Sequence, residues 1–157
     1  MELLRYLFTL YPYPDVEHVL SGPGLHNIYN FLRDTGRGTE PPWMTEEMKH
    51  HDPSAAISHA AMEGQCPMAV DAMRMFVAIY GTEAANLALK IMATGGVFIG
   101  GGIAPKILPM LQDDWFMRSF RTTGVLRRVL ENIPVRVILN DKTALLGAAC
   151  YARDRKN

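Results

Sequence analysis

This sequence has little of several things that would narrow its function at once. Two cysteines, Cys66 and Cys150, occur in 157 residues. They are too few and too far apart for a disulfide framework or a zinc site of the usual spacing. Both stand in apolar, helix-like surroundings and read as buried thiols of a reducing cytosol. No charge of one sign dominates: Lys+Arg and Asp+Glu are both 16, for a formal net charge of zero. Without a basic surplus, or a basic strip interleaved with aromatics, nucleic acid is not an expected partner. Near-zero net charge instead favours self-association, so a homo-oligomer such as a dimer is expected. There is no long uncharged run. The most apolar stretch, Pro67 to Met92, carries Asp71, Arg74, Glu83 and Lys90 along its length and does not read as a membrane span. The opening residues, with Glu2 where a positive start would stand, do not read as a signal peptide. Internal repeats and low-complexity tracts are absent. A cytoplasmic location follows as the expectation.

What is present is an ordinary globular composition, 48% hydrophobic and 20% charged, in a chain of one-domain length. The most informative stretch is Gly95-Gly96-Val97-Phe98-Ile99-Gly100-Gly101-Gly102-Ile103-Ala104-Pro105-Lys106. An apolar run leads into three consecutive glycines, and a proline follows where a helix could begin. Such a strand–loop–helix junction leaves the backbone bare, so that a flat or anionic ligand can lie against it. It matches neither G-x-G-x-x-G nor the G-x-x-x-x-G-K-[ST] phosphate loop.

Periodicity places helices over 2–10, 15–20, 25–32, from Thr45, 52–63, 67–92, 105–111, 113–121, 125–131 and 143–153. The longest, from Pro67, is apolar nearly all round and is expected to be a central core helix. Val97–Ile99 and Pro134–Leu139 read as strands, and their spacing across intervening helices implies a parallel crossover. Two strands are too few for a stable parallel sheet, so an unpaired edge open to dimerisation is expected.

Candidate chemistry is sparse. His50, His51 and His59 lack partners at metal-ligand spacing, and no metal site is expected. Ser21 sits in S-G-P-G rather than in a nucleophile elbow. In open α/β sheets ligands collect at the carboxyl ends of strands, here Gly100-Gly101-Gly102 and Asn140-Asp141. Locally, the glycines read either as a ligand turn or as a tight connection.

Four blocks occur together in order: Glu17-His18-Val19-Leu20-Ser21-Gly22-Pro23-Gly24-Leu25, Gly95 to Pro105, Ile133-Pro134-Val135, and Leu145-Leu146-Gly147-Ala148-Ala149. In combination they resemble the C-terminal half of bacterial glucokinases, across essentially the whole chain. The resemblance implies an α/β fold: the predominantly helical C-terminal half of an actin-like, ribonuclease-H-like ATPase domain with a small parallel sheet. It implies one domain over 1–157, with a helical sugar-side segment at 1–66 and a nucleotide-side segment at 67–157. The family phosphorylates the 6-hydroxyl of D-glucose with Mg-ATP, so ATP and Mg²⁺ are the implied cofactors and glucose the implied substrate. Glu17 matches a glutamate that hydrogen-bonds a sugar hydroxyl, a task suited to a carboxylate. Gly100, Gly101 and Gly102 match the turn beside adenosine, with Ser21 and Gly22 on the same cleft wall.

The family's Asp-x-Gly-Gly-Thr-Asn phosphate loop, its catalytic Asn-Asp pair and its Gly-Glu-Gly-Gly-His sugar loop are not in this sequence. Asn140-Asp141, after the last strand, is not that pair. The resemblance therefore implies a truncated fragment or one part of a split enzyme, with the N-terminal glucokinase region as partner. It assigns no catalytic residue here. Loss of a general base alone costs about 10²–10⁴-fold, so the chain by itself is expected to be inactive. The alternative reading is a non-catalytic α/β module that self-associates or pairs with another chain.

Overall fold

The computed structural model describes residues 2–122 and 124–155. A helical body is built from α1 (Glu2–Leu10), α2 (Gly22–Asp34), α3 (Pro42–His50), α4 (Pro53–Met62) and α5 (Pro67–Lys90). It is followed by β1 (Val97–Ile99), α6 (Leu108–Gln112), α7 (Asp114–Arg121), α8 (Arg127–Leu130), β2 (Val135–Val137) and α9 (Thr143–Asp154). The fold is α/β and predominantly helical, with a small parallel sheet.

The long helix α5 is the hub, as its composition predicts. Met73, Phe76 and Val77 are buried on it, and α2, α4 and α7 pack around it with Tyr29, Ile57 and Phe120 fully covered. Each such side chain contributes about 1.5–3 kcal/mol on burial. Alanines Ala56 and Ala60 on α4 and Ala69 and Ala72 on α5 are all buried, and their small side chains let packed helices approach closely. The far end of α5 differs from expectation. The helix stops at Lys90 rather than Met92, where Met92 takes a positive φ of 49°. Leu87 and Ile91, expected in the core, are exposed.

The strands pair in parallel, Val97 with Val135, Phe98 with Arg136 and Ile99 with Val137. The Val97 N–H donates to the Pro134 carbonyl at 2.9 Å, and the Ile138 N–H to the Ile99 carbonyl at 2.8 Å. Gly96 enters β1 at φ +132°, and a β-carbon there would stand 3.1 Å from the Pro134 carbonyl oxygen. Phe98 points outward under the Arg136 guanidinium, 5.7 Å from its ring centroid.

Several boundaries depart from the sequence reading for local reasons. The segment 15–20 forms only a 3₁₀ turn, Val16–His18, because the next helix begins at Gly22. Helix α3 starts at Pro42, not Thr45; the Thr45 hydroxyl donates to Glu40 instead of capping. No helix runs from Pro105. Residues 103–107 form a turn, with the Lys106 and Ile107 N–H groups bonded to the Ile103 carbonyl, and α6 begins at Leu108. Pro109 explains this: inside a helix begun at 105 it would lack the N–H that bonds to residue 105, and its ring would clash there. The expected helix 125–131 splits into a 3₁₀ turn, Gly124–Leu126, and α8. Cys66 is buried as expected, but Cys150 on α9 is exposed.

Candidate functional site

The S-G-P-G segment forms the first turn of α2. The Ser21 hydroxyl accepts from the Gly24 N–H at 3.0 Å and donates to the Glu17 carbonyl at 2.7 Å, so one side chain caps the helix and holds the preceding turn. A β-carbon on Gly24 would lie 2.6 Å from the Val19 carbonyl carbon, so only glycine lets that turn fold back on the helix. The first turn of α4 stands alongside. Asp52 caps it, accepting from the Ala55 N–H at 2.8 Å, and a β-carbon on Gly22 would sit 3.4 Å from the Ser54 hydroxyl.

Opposite these two helix starts lies the end of the glycine turn. Ser21, Gly22, Ser58, Gly102 and Lys106 rim a cleft of about 330 Å³, and Leu25, Met73, Phe76 and Ile107 make its apolar floor. The N-termini of α2 and α4 both bring the positive end of a helix dipole to this rim, and Lys106 adds a full positive charge. Asp52 is the one acidic side chain lining the cleft. An apolar floor beneath two helix N-termini and Lys106 suits a flat ring system carrying an anionic tail.

The sequence-predicted residues are only partly brought together. Gly102 lines the cleft with Ser21 and Gly22. Gly101 adopts φ +99°, a conformation that favours glycine, and so turns the chain between strand and cleft. Gly100 lies on the other side of that turn, in a separate apolar groove beside Leu87 and Phe98. Glu17 is exposed on the 3₁₀ turn and lines neither cavity. Its position is nonetheless fixed. Asp15 accepts from the N–H groups of Glu17 at 3.0 Å and His18 at 3.3 Å, and the His18 side chain is 2.7 Å from the Asp15 carboxylate. The buried Asn27 amide donates to the His18 carbonyl at 3.0 Å, and its oxygen accepts from Tyr11.

Sequence reasoning missed Asp52, Ser54, Ser58 and Lys106. Asp52-Pro53 was legible only as a helix start, and that start is what faces the cleft. Close by, His26 is held below its usual pKa, first by burial and then by the Arg33 charge, with Glu40 and Asp52 opposing.

The glucokinase family profile matches residues 1–155. The chain belongs to the glucokinase family. It is 43% identical to a glucokinase of Nostoc punctiforme over 97% of this chain and 49% of that protein. To a glucokinase of Synechocystis sp. it is 42% identical over 96% of this chain and 46% of that one. Among solved structures, the crystal structure of a glucokinase from an Antarctic psychrotroph superposes with a TM-score of 0.81 at 30% identity, covering 98% of this chain and 45% of that one. The chain thus spans about half the length of the curated glucokinases it matches.

Among the described residues no cluster of three or more His, Cys, Asp or Glu side chains stands close enough to hold a metal ion. In the cleft of this glucokinase-family chain the Asp52 carboxylate is committed to capping α4. The described residues of the cleft thus supply no cluster that would hold a resident Mg²⁺ by itself. No helix among them is long and apolar enough to cross a membrane.

Proposed function

We propose that this chain forms the adenosine-side wall of a glucose kinase that transfers phosphate from Mg-ATP to the 6-hydroxyl of glucose. The observation that carries this reading is the cleft where the Ser21-Gly22 helix start, the Asp52-capped start of α4 and Gly102 meet around an apolar floor. The adenine ring lies on Leu25, Met73 and Phe76, with Gly102 leaving room for it. The phosphate tail leaves past the helix N-termini and Lys106, where N–H groups and a cation meet its charge. The divalent ion arrives with the nucleotide as part of the substrate. Glu17, held rigidly one turn before Ser21, accepts a hydrogen bond from a sugar hydroxyl.

Phosphoryl transfer requires the sugar hydroxyl, metal and γ-phosphate to be positioned together. This chain supplies no general base for the hydroxyl, so catalysis needs the half of the family fold it does not span. The isolated chain binds nucleotide weakly and does not turn over.

Isothermal titration tests this with ATP and glucose added separately. Heat of ATP binding that is lost in Gly102→Val, with no glucose 6-phosphate formed, supports the reading. Absence of ATP binding at millimolar nucleotide overturns it.

A further inference from the structure

Five polar side chains line the cleft, Ser21, Asp52, Ser54, Ser58 and Lys106, and much of their hydrogen-bonding capacity is spent inside the protein. The Ser21 hydroxyl accepts from the Gly24 N–H and donates to the Glu17 carbonyl. The Ser58 hydroxyl donates to the Ala55 carbonyl at 3.0 Å. Asp52 takes the Ala55 N–H on Oδ1 at 2.8 Å, and that capping bond uses only one of its two oxygens. Among the described residues, three groups remain for a ligand. They are Asp52 Oδ2, an acceptor only, the Ser54 hydroxyl, and the Lys106 ammonium, a donor only.

The two helix starts at the rim are not equivalent. Ser21 caps α2 without charge, so α2 keeps its positive field, whereas at α4 the Asp52 carboxylate already offsets it. An anionic tail is drawn toward α2 and Lys106 and away from Asp52. The free oxygen of Asp52 calls instead for a neutral proton donor. In a nucleotide laid with its base on Leu25, Met73 and Phe76, the ribose joins that apolar floor to the phosphates and so lies at the rim, where Asp52 stands. Its hydroxyls are the donors nearest the charged tail. A carboxylate is also the group that dinucleotide-binding folds set against a ribose 2′-hydroxyl, and its charge strengthens the bond.

Resting on the reading of this cleft as an adenosine wall, we propose that Asp52 is a specificity-determining residue for the nucleotide. Its Oδ2 accepts a hydrogen bond from the ribose 2′-hydroxyl, so the site selects ribonucleotides over 2′-deoxyribonucleotides. One carboxylate thus both starts α4 and reads the sugar of the nucleotide.

Isothermal titration of residues 1–157 with ATP and with 2′-deoxy-ATP tests this. The expected result is ATP bound about ten-fold more tightly, as the loss of one hydrogen bond to a charged acceptor dictates. Asp52→Asn and Asp52→Ser each keep a capping side chain, so the circular dichroism should be unchanged, while the ratio of the two affinities should fall to near one. Removing a negative charge strengthens both nucleotides alike and cancels in that ratio. Lys106→Gln should weaken both nucleotides and leave the ratio as it was. Equal affinity of the unaltered chain for the two nucleotides, or a preference that survives both Asp52 substitutions, overturns the proposal and leaves the adenosine wall standing. So does a preference for ATP over inosine triphosphate that vanishes with Asp52 while the 2′-deoxy ratio persists, because Asp52 would then read the exocyclic amine. Failure of ATP to bind at all overturns the functional reading and this proposal with it.

Discussion

The side-chain amide of Asn27 on α2 donates to the backbone carbonyl of His18 at 3.0 Å, tying the turn that carries Glu17 to the helix that starts the cleft. Asn27 is buried, and its oxygen also accepts from the Tyr11 hydroxyl at 3.2 Å. Replacing it with leucine keeps the volume but strands both partners. Asn27→Leu should cost about 1–3 kcal/mol, read as a lower urea midpoint, with hydrogen exchange accelerating first at residues 16–19.

Gly81 sets the approach of α5 to α7. A β-carbon there would fall well inside van der Waals contact with the Phe116 carbonyl oxygen and stand 3.2 Å from the Phe120 nitrogen. Helix propensity alone favours alanine over glycine by about 1 kcal/mol. Backbone atoms cannot rotate away, so overpacking of about 1–3 kcal/mol prevails. Gly81→Ala should therefore be destabilising in urea unfolding despite its higher propensity.

The glycine turn separates binding from folding. A β-carbon on Gly102 meets nothing within 4 Å, whereas Gly101 holds φ +99°. Gly102→Val should leave stability within about 0.5 kcal/mol of the parent and weaken ATP binding at least ten-fold by filling the cleft. Gly101→Val should lose about 1–3 kcal/mol through backbone strain. Paired calorimetry and thermal melts of the two variants read the contrast.

Stability should fall at both ends of the pH scale. His26 is held below its usual value by burial and by Arg33, so its stabilising contribution is present above about pH 6.5 and is lost as pH drops through its lower folded value. Asp34, lowered by its bond from Tyr6 and by Arg33, adds a second loss at more acid pH. Burial and the Asp34 hydrogen bond push Tyr6 up from 10.0 to about 12, so that contribution holds below pH 10 and disappears on approaching 12. Urea midpoints across pH 5–8 should slope less in His26→Gln, and those across pH 9–12 less in Tyr6→Phe.

The two thiols should react in different regimes. Cys150 is exposed and Cys66 buried. One equivalent should label rapidly in native buffer, with the second appearing only in denaturant. Cys150→Ser should remove the fast phase.

Where one short-range rule decides an element, the sequence was readable. Pro67 and its apolar surroundings specify α5, Asp52-Pro53 specify the start of α4, and the Val97–Ile99 run specifies β1. The parallel pairing of β1 with β2 also followed from order alone. Less legible were features decided by two rules at once. Pro109 overrides the helix signal at Pro105, and Pro42 takes the start that Thr45 advertises. Exposure at Leu87, Ile91 and Cys150 was not readable either, because an apolar pattern records what a face is suited to cover, not whether anything covers it. In the candidate site, Ser21, Gly22 and Gly102 were visible as glycine-rich turns. Asp52, Ser54, Ser58 and Lys106 were not, because only the tertiary approach of α4 and of the turn before α6 to the start of α2 brings them to the same rim.

Parallel pairing of β1 with β2 also marks a weak seam. The partners Ile99 and Val137 are separated by three helices, and closing that span costs chain entropy against only three rungs of pairing. Strand edges offer their backbone groups to any other extended chain, which makes this sheet the point at which a chaperone or an aggregate would first compete.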